Sequence, residues 1–477
     1  MYSRLPEHFF RPVTLSPVTS PRIVLWNSVL SGELNIGQDG SLAALLSGNE
    51  TFPGVQPLAT AYAGHQFGHF VPQLGDGRAL LLGEVAAQDG VRREVQLKGA
   101  GRTPYSRGGD GRSALGPAIR EFLASEAMHA LGIPTTRALA VTLTGDQVYR
   151  DRAVPGAVFT RIARSHIRVG TFQYMAAHGG VADIRMLADH VIEHFYPAIR
   201  NEPQPYRALF LAIRDAQASL IARWMQIGFI HGVMNTDNMS VLGDTIDYGP
   251  CAFMDDYDPA TVYSAIDQDG RYAYANQPSI AAWNLARLAE TLLDLIDADS
   301  EKAIAWAQEA LRGFMPVYRE YWLRGMKSKI GLATDHPEDH LLIGQLLEAM
   351  QTGHADFTLT FRRLATAIES GAESSVTSLF RAPGIVERWL ALWRERLKLE
   401  SNQTEIAAQM QRVNPAFILR NHRVEWAIDA AVNQGDFSKA IELQTVLARP
   451  FDDQPDFAAY QDPPQPGDWK CQTFCGT

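Results

Sequence analysis

The chain has 477 residues, 46% of them hydrophobic and 20% charged, which excludes both a single small module and a disordered polymer. Forty-three Lys and Arg against 53 Asp and Glu give a net charge of −10, so the whole surface repels nucleic acid and anionic membranes, and any anionic ligand must be drawn in locally. No apolar run approaches the ~18 residues of a spanning helix and the first residues carry no signal-peptide pattern, so the expected compartment is the cytoplasm. Only Cys251, Cys471 and Cys475 occur, too few for a disulfide framework.

Residues 1–60 are proline-rich, with one strand-like piece at Arg22 to Trp26, and read as a wrapping segment. Residues 61–180 read as a strand-rich lobe. Strands are expected at Ala79 to Glu84 and Val91 to Lys98, then at Ala138 to Leu143 and Ala157 to Ala163, with a turn at Thr144-Gly145-Asp146. In the second strand Val95 and Leu97 alternate with Gln96 and Lys98, so Lys98 leaves the face that buries Val95 and Leu97. A glycine- and arginine-rich loop, Gly99 to Ser113, leads into a helix whose stripe is Ile119, Phe122, Leu123, Ala127, Ala130 and Leu131, with Glu121 off that stripe. Gly132-Ile133-Pro134 ends it.

From about 181 to 330 the periodicity is helical: 184–195, 206–227, 279–296 and 301–318. One polar insertion, His231 to Gly249, interrupts it. Its middle predicts a hairpin in which Ser240-Val241-Leu242 turns at Gly243-Asp244 into Thr245-Ile246-Asp247, so that Asn238 and Asp247 converge on one hard cation. Asp237 then points elsewhere and is left to accept a proton. Residues 331–477 continue as a helical extension, with helices at 341–350, 424–432 and 438–447.

A strand lysine, a helix glutamate about twenty residues on, an Asp-Asn pair after a long helix and an Asp-aromatic-Gly triplet follow the order of parts in protein kinases. Lys98 would hold phosphate, Glu121 would hold Lys98, and Asn238 with Asp247 would hold a metal. Two features depart from that pattern. Val233 stands where kinases keep their catalytic base, five residues before the metal-binding Asn, and Leu74-Gly75-Asp76-Gly77-Arg78 is not GxGxxG. No GxxxxGK[ST] loop occurs.

Ala63-Gly64-His65-Gln66-Phe67-Gly68, Gln73 to Arg78, Leu97 to Gly101, Thr103 to Arg107, Gly109 to Arg112, His231 to Ser240 and Asp247 to Pro250 closely resemble the selenoprotein O family, over nearly the whole chain. The resemblance implies an α+β, protein-kinase-like two-lobed fold that binds ATP in a flipped orientation and transfers AMP to Ser, Thr or Tyr hydroxyls of protein substrates. It further implies that Gly75, Gly77 and Arg78 cover the nucleotide, that Lys98 contacts phosphate under the control of Glu121, and that Asp110 and Gly111 touch ATP. Arg161 and Arg168 match the arginines of the distal phosphates, although without the resemblance both read as surface arginines. Asp237 matches the proton acceptor, and Asn238 with Asp247 the ligands of Mg2+ or Mn2+. Cys475 resembles the bacterial replacement of a selenocysteine, which implies a redox partner acting on Cys471 and Cys475, while Cys251 reads as a small buried residue. UMP transfer from UTP, ordinary γ-phosphoryl transfer and a catalytically dead nucleotide-binding scaffold are the alternatives.

Overall fold

The computed structural model describes residues 2–37, 40–400 and 403–465. Cys471 and Cys475 lie outside the described residues.

The fold is α+β. Eight strands form one antiparallel sheet: β1 (Phe10–Pro12), β2 (Arg22–Trp26), β3 (Leu58–Thr60), β4 (Ala79–Ala86), β5 (Arg92–Lys98), β6 (Ser113–Ala114), β7 (Arg137–Tyr149) and β8 (Ala153–Ala163). Their order is β1-β3-β4-β5-β8-β7-β2, with β6 paired to β8. The first sixty residues therefore supply three strands, because β1 pairs with β3 and the strand-like piece at Arg22 adds to β7 along an edge. The turn expected at Thr144-Gly145-Asp146 is instead a bulge inside one long strand: Gln147 faces Pro155 while Leu143 already faces Ala157. Gly145 takes φ +82° there, so a glycine that reads as a turn serves as the bulge residue.

Six helices matter for the site: α1 (Leu115–Ala130), α2 (Val169–His178), α3 (Pro205–Gln226), α4 (Gln277–Ile296), α5 (Asn421–Asp429) and α6 (Ser438–Leu447). The expected stripe of α1 is buried except for the half-buried Ala130, but so are Arg120, Glu121 and Ser125, so Glu121 is not on a solvent face as the stripe alone suggests. The reason is that α1 has the sheet on one side and α5 and α6 on the other. Arg120 reaches across to Glu425 and, at 2.9 Å, to Asn421 Oδ1. The helix stops where Gly132, at φ +75°, lets Gly132 N and Ile133 N donate to the carbonyls of His129 and Met128. The expected single helix over 301–318 is two, Ser300–Arg312 and Phe314–Lys329, broken at Gly313. Helices at 357–370 and 384–397 carried no distinct sequence signal and are buried along one side against the same core. Among the described residues no helix is long and apolar enough to cross a membrane.

Candidate active site

The site begins with strand register. Gln96 lies directly opposite Arg161 across β5 and β8, and Lys98 opposite Phe159. Directly opposed residues share a face and their diagonal neighbours are within reach of long side chains, so Lys98 and Arg161 leave the sheet side by side. Arg161 donates to Gln96 Oε1 at 3.0 Å. Two adjacent cations require counter-charge, and α1 supplies it. Glu121 accepts from Lys98 Nζ at 2.8 Å through Oε2 and pairs with Arg161 through Oε1.

The polar insertion supplies the rest. Asp247 Oδ1 accepts from Lys98 at 2.7 Å and from Arg161 at 2.6 Å, while Oδ2 accepts from Arg168 at 3.1 Å. Arg168 immediately precedes α2, donates to the Asp237 carbonyl at 2.8 Å and lies with its guanidinium carbon 4.6 Å from the centre of the Tyr62 ring. Arg161 and Arg168 are both buried, which overturns the reading of them as surface arginines. Burial alone would raise the carboxyls of Asp247 and Glu121. The guanidinium of Arg161 and the ammonium of Lys98 outweigh it, joined at Asp247 by Arg168, so Asp247 is held well below the usual carboxylate range and Glu121 below its ordinary value.

Asp247 sits at φ +63°, a left-handed conformation that a non-glycine residue adopts only where its surroundings enforce it. The neighbours do so. His231 Nε2 donates to the Ile246 carbonyl at 2.9 Å, Tyr248 OH bonds to Thr135, and Gly249 N donates to the Asp247 carbonyl at 2.9 Å. His231 itself is fully buried and stacked on Trp224. The hairpin expected over Ser240 to Asp247 does not form. Ser240 bridges instead to Arg168, and Thr245 to Thr135. These outside partners are far away in sequence and capture the backbone groups that a local ladder would have used, yet Asp247 still returns to the same cavity as Asn238.

Asp237 has the opposite surroundings. It lies in a short 3-10 turn, Thr236–Asn238, and its Oδ2 receives only Gln66 Nε2 at 3.4 Å, while Oδ1 is buried without a hydrogen-bond partner among the described residues. Burial pushes its carboxyl up to about 6. Gly64 and Gly170 press against it: a Cβ on Gly64 would collide with Oδ1, and one on Gly170 would come 3.2 Å from the Asp237 Cα. Asn238 is held by Nδ2 donating to the Val233 carbonyl at 3.0 Å.

These groups line a cavity of about 600 Å³. Gly75, Gly77 and Arg78 form one wall, where glycine is required because a Cβ on Gly75 would collide with the Tyr105 ring and one on Gly77 would come 2.9 Å from the Tyr105 carbonyl. Asp110 is exposed at the rim and Gly111 is buried beside it. Asp110 pairs with Arg150 at 2.9 Å, and Gly111 turns at φ +67° against the Gly101 backbone. All twelve residues singled out from the sequence therefore face one cavity. Sequence reasoning missed Tyr62, Gln66, Tyr105, Arg150, Glu425 and Ile428, which also line it. Gln66 lay within a recognised motif, whereas Glu425 and Ile428 arrive from α5, over 170 residues beyond the polar insertion, and carry no local signal.

The donors present suit a metal that is shared with a ligand. Among the described residues no group of three or more His, Cys, Asp or Glu is arranged to hold a metal ion by itself, but one carboxylate and one amide would fit a hard divalent ion shared with a phosphate-bearing ligand. Cys251, next to this loop, is buried, which pushes its thiol up to about 12.

A family model described as Protein adenylyltransferase SelO matches residues 1–448. The chain is 58% identical over 483 residues to the Protein nucleotidyltransferase YdiU of Rhizobium meliloti (strain 1021), covering 100% of this chain and 98% of that protein. It is 57% identical to the protein of that name in Rhizobium rhizogenes (strain K84 / ATCC BAA-868), covering 100% and 96%, and 55% identical to that of Bradyrhizobium sp. (strain BTAi1 / ATCC BAA-1182), covering 100% and 98%.

Proposed function

Because the chain belongs to the SelO protein adenylyltransferase family, we propose that it moves AMP from ATP onto Ser, Thr or Tyr hydroxyls of protein substrates. The observation that carries this reading is the complete burial of Arg161 and Arg168 beside Lys98 at the cavity floor. A cationic floor suits the two terminal phosphates. Bound that way round, the nucleotide presents its α-phosphate toward the rim and the acceptor, and pyrophosphate is the group whose departing charge the floor stabilises.

The roles follow from position. Residues 61–180 act as the nucleotide-binding lobe of a kinase-like fold and residues 181–330 as the lobe bearing the catalytic loop, with residues 1–60 adding strands to the first and the helices after 330 continuing from the second until α5 and α6 return to pack on α1 of the first. Gly75, Gly77 and Arg78 cover the nucleotide, Asp110 and Gly111 hold its outer end, and Glu121 orients Lys98. Asn238 and Asp247 would hold Mg2+, or Mn2+ in its place, and the metal would supply neutralisation of charge along the triphosphate. Asp237, whose buried Oδ1 has no hydrogen-bond partner among the described residues, takes the proton as the acceptor oxygen bonds to the α-phosphorus and the bond from that phosphorus to the pyrophosphate oxygen breaks. Val233, in the position of the kinase base, has no part in this chemistry.

The test is incubation with ATP, Mg2+ and a protein acceptor, read by intact mass, with UTP in parallel. A gain equal to AMP that disappears in Asp247→Ala supports the reading. A gain equal to one phosphate, or transfer from UTP alone, replaces it with kinase or UMP-transfer chemistry.

A further inference from the structure

Next to Asp237, the short antiparallel pair Gly64–Gln66 and His69–Val71 borders the cavity through Gln66. Its turn, Phe67 at φ +50° and Gly68 at φ +87°, is the tight two-residue type. The turn is anchored to the catalytic loop itself: His65 N donates to Thr236 Oγ1 at 2.7 Å and Phe67 N to Asn235 Oδ1 at 3.1 Å. Its tip rests on Arg271, whose guanidinium a Cβ on Gly68 would approach to 3.6 Å.

Arg271 lies 4.8 Å and Arg287 5.0 Å from the centre of the Trp283 ring, and His65 packs between Trp283 and Phe70 at 5.1 and 4.9 Å. Phe70 is 44% exposed. A continuous face thus runs from Gln66 at Asp237 to an exposed aromatic ring and a cation. Arg287 is already paired with Glu290 at 2.6 Å. Arg271 has no carboxylate partner among the described residues, since Asp267 accepts instead from the backbone N–H groups of Arg271 and Tyr272 at 2.9 and 2.8 Å. On a chain of net charge −10, an arginine held on the rings of Trp283 and Tyr272 without a carboxylate partner, one histidine away from the exposed Phe70, is a local complement to an acidic, partly apolar segment.

We propose that the acceptor polypeptide lies on this face and that Arg271 selects hydroxyl residues with an acidic neighbour, Phe70 covering an apolar side chain beside it. This rests on the transfer reading above for the identity of the reaction, and on geometry alone for the docking.

The experiment uses the full chain and fluorescein-labelled ten-residue peptides bearing one Tyr flanked by Glu, Gln or Lys. Binding is read by anisotropy and product by mass with ATP and Mg2+. The wild type is expected to bind the Glu peptide about fivefold tighter than the Gln peptide and to bind the Lys peptide weakest, a gap of the size one part-exposed charge pair supplies. Arg271→Gln should remove the Glu preference and Arg271→Glu should reverse it toward Lys, with Phe70→Ala weakening all three peptides alike. An unchanged peptide order in both Arg271 variants, or no charge preference in the wild type, overturns the proposal. Charge-selective binding with a product gain other than AMP keeps the docking face and overturns the transfer reading instead.

Discussion

Asp237 and Asp247 lie ten positions apart on one loop and border one cavity, yet their environments are opposite. Asp247 has both oxygens taken by three cations, two of them buried, and is held well below the usual carboxylate range, whereas Asp237 has one amide at 3.4 Å and is pushed by burial up to about 6. The contrast equips two like groups differently: one stays ionised over any working pH, while the other can take up a proton around pH 6, as the proposed acceptor role needs. Strand register puts the cations under Asp247, and the glycines at 64 and 170 bring backbone rather than polar side chains against Asp237.

The largest effect is expected from Asp247→Ala. Removing one side of a buried ion cluster leaves Lys98, Arg161 and Arg168 short of counter-charge, and breaking such a pair typically costs about 3–5 kcal/mol. Chemical denaturation should show that loss, with turnover falling to background. ATP without metal should then raise the melting temperature of the variant more than that of the wild type, because phosphate oxygens replace the missing carboxylate. An equal or smaller shift in the variant would mean that the floor does not receive phosphates.

Asp237→Asn comes next and should behave in the opposite manner. Turnover should drop by about 10² to 10⁴, the usual contribution of a positioned base, while denaturation midpoint and ATP binding hold or improve, since a buried carboxylate with only one long hydrogen bond is itself destabilising. If this variant unfolds as readily as Asp247→Ala, the two aspartates are structurally alike and the contrast fails.

The pH dependence sharpens the same difference. Asp237 must be ionised to accept a proton, so kcat/KM of the wild type should climb through about pH 6, and the residual rate of Asp237→Asn should be flat there. Stability runs the other way. The folded chain holds this proton above the ordinary value of 3.8, so the contribution of Asp237 to stability is present below that value and is lost as pH rises through about 6. Asp247 and Glu121, with lowered values, contribute stability at neutral pH that is lost on acidification below the ordinary carboxylate range.

The legible parts of this architecture are those set by local repetition. Alternation in Arg92–Lys98 indicates the direction of Lys98, and the stripe of α1 fixes that helix. What escaped was decided by partners distant in sequence. Thr144-Gly145-Asp146 has turn chemistry, but β2 and β8 on either side of β7 hold it in one strand with a bulge. Ser240 to Asp247 has hairpin chemistry, but Arg168 and Thr135 take its backbone groups. The burial of Arg161 and Arg168 has no local signature either, because arginine on a strand end or before a helix is ordinary until the carboxylate that meets it is known. Apolar burial was readable from the pattern, and the burial of the charged groups was not.

The smallest effect should come from the rim, where the same kinds of charge as on the floor meet water. Asp110 and Arg150 pair at 2.9 Å with side chains 45% and 27% exposed, against 1% for Arg161 on the floor. Exposed pairs contribute about 0.2–1 kcal/mol and are screened by salt, so Arg150→Ala should cost less than about 1 kcal/mol in denaturation, and 1 M salt should erase the difference from wild type. Because Asp110 also accepts from Arg112 N at 2.9 Å, the loop keeps its turn without Arg150, and the KM for ATP should change by only about twofold to threefold. A Arg150→Ala loss as large as that of Asp247→Ala would mean that the rim, rather than the floor, sets the electrostatics of the cavity, and would move the anionic end of the ligand outward.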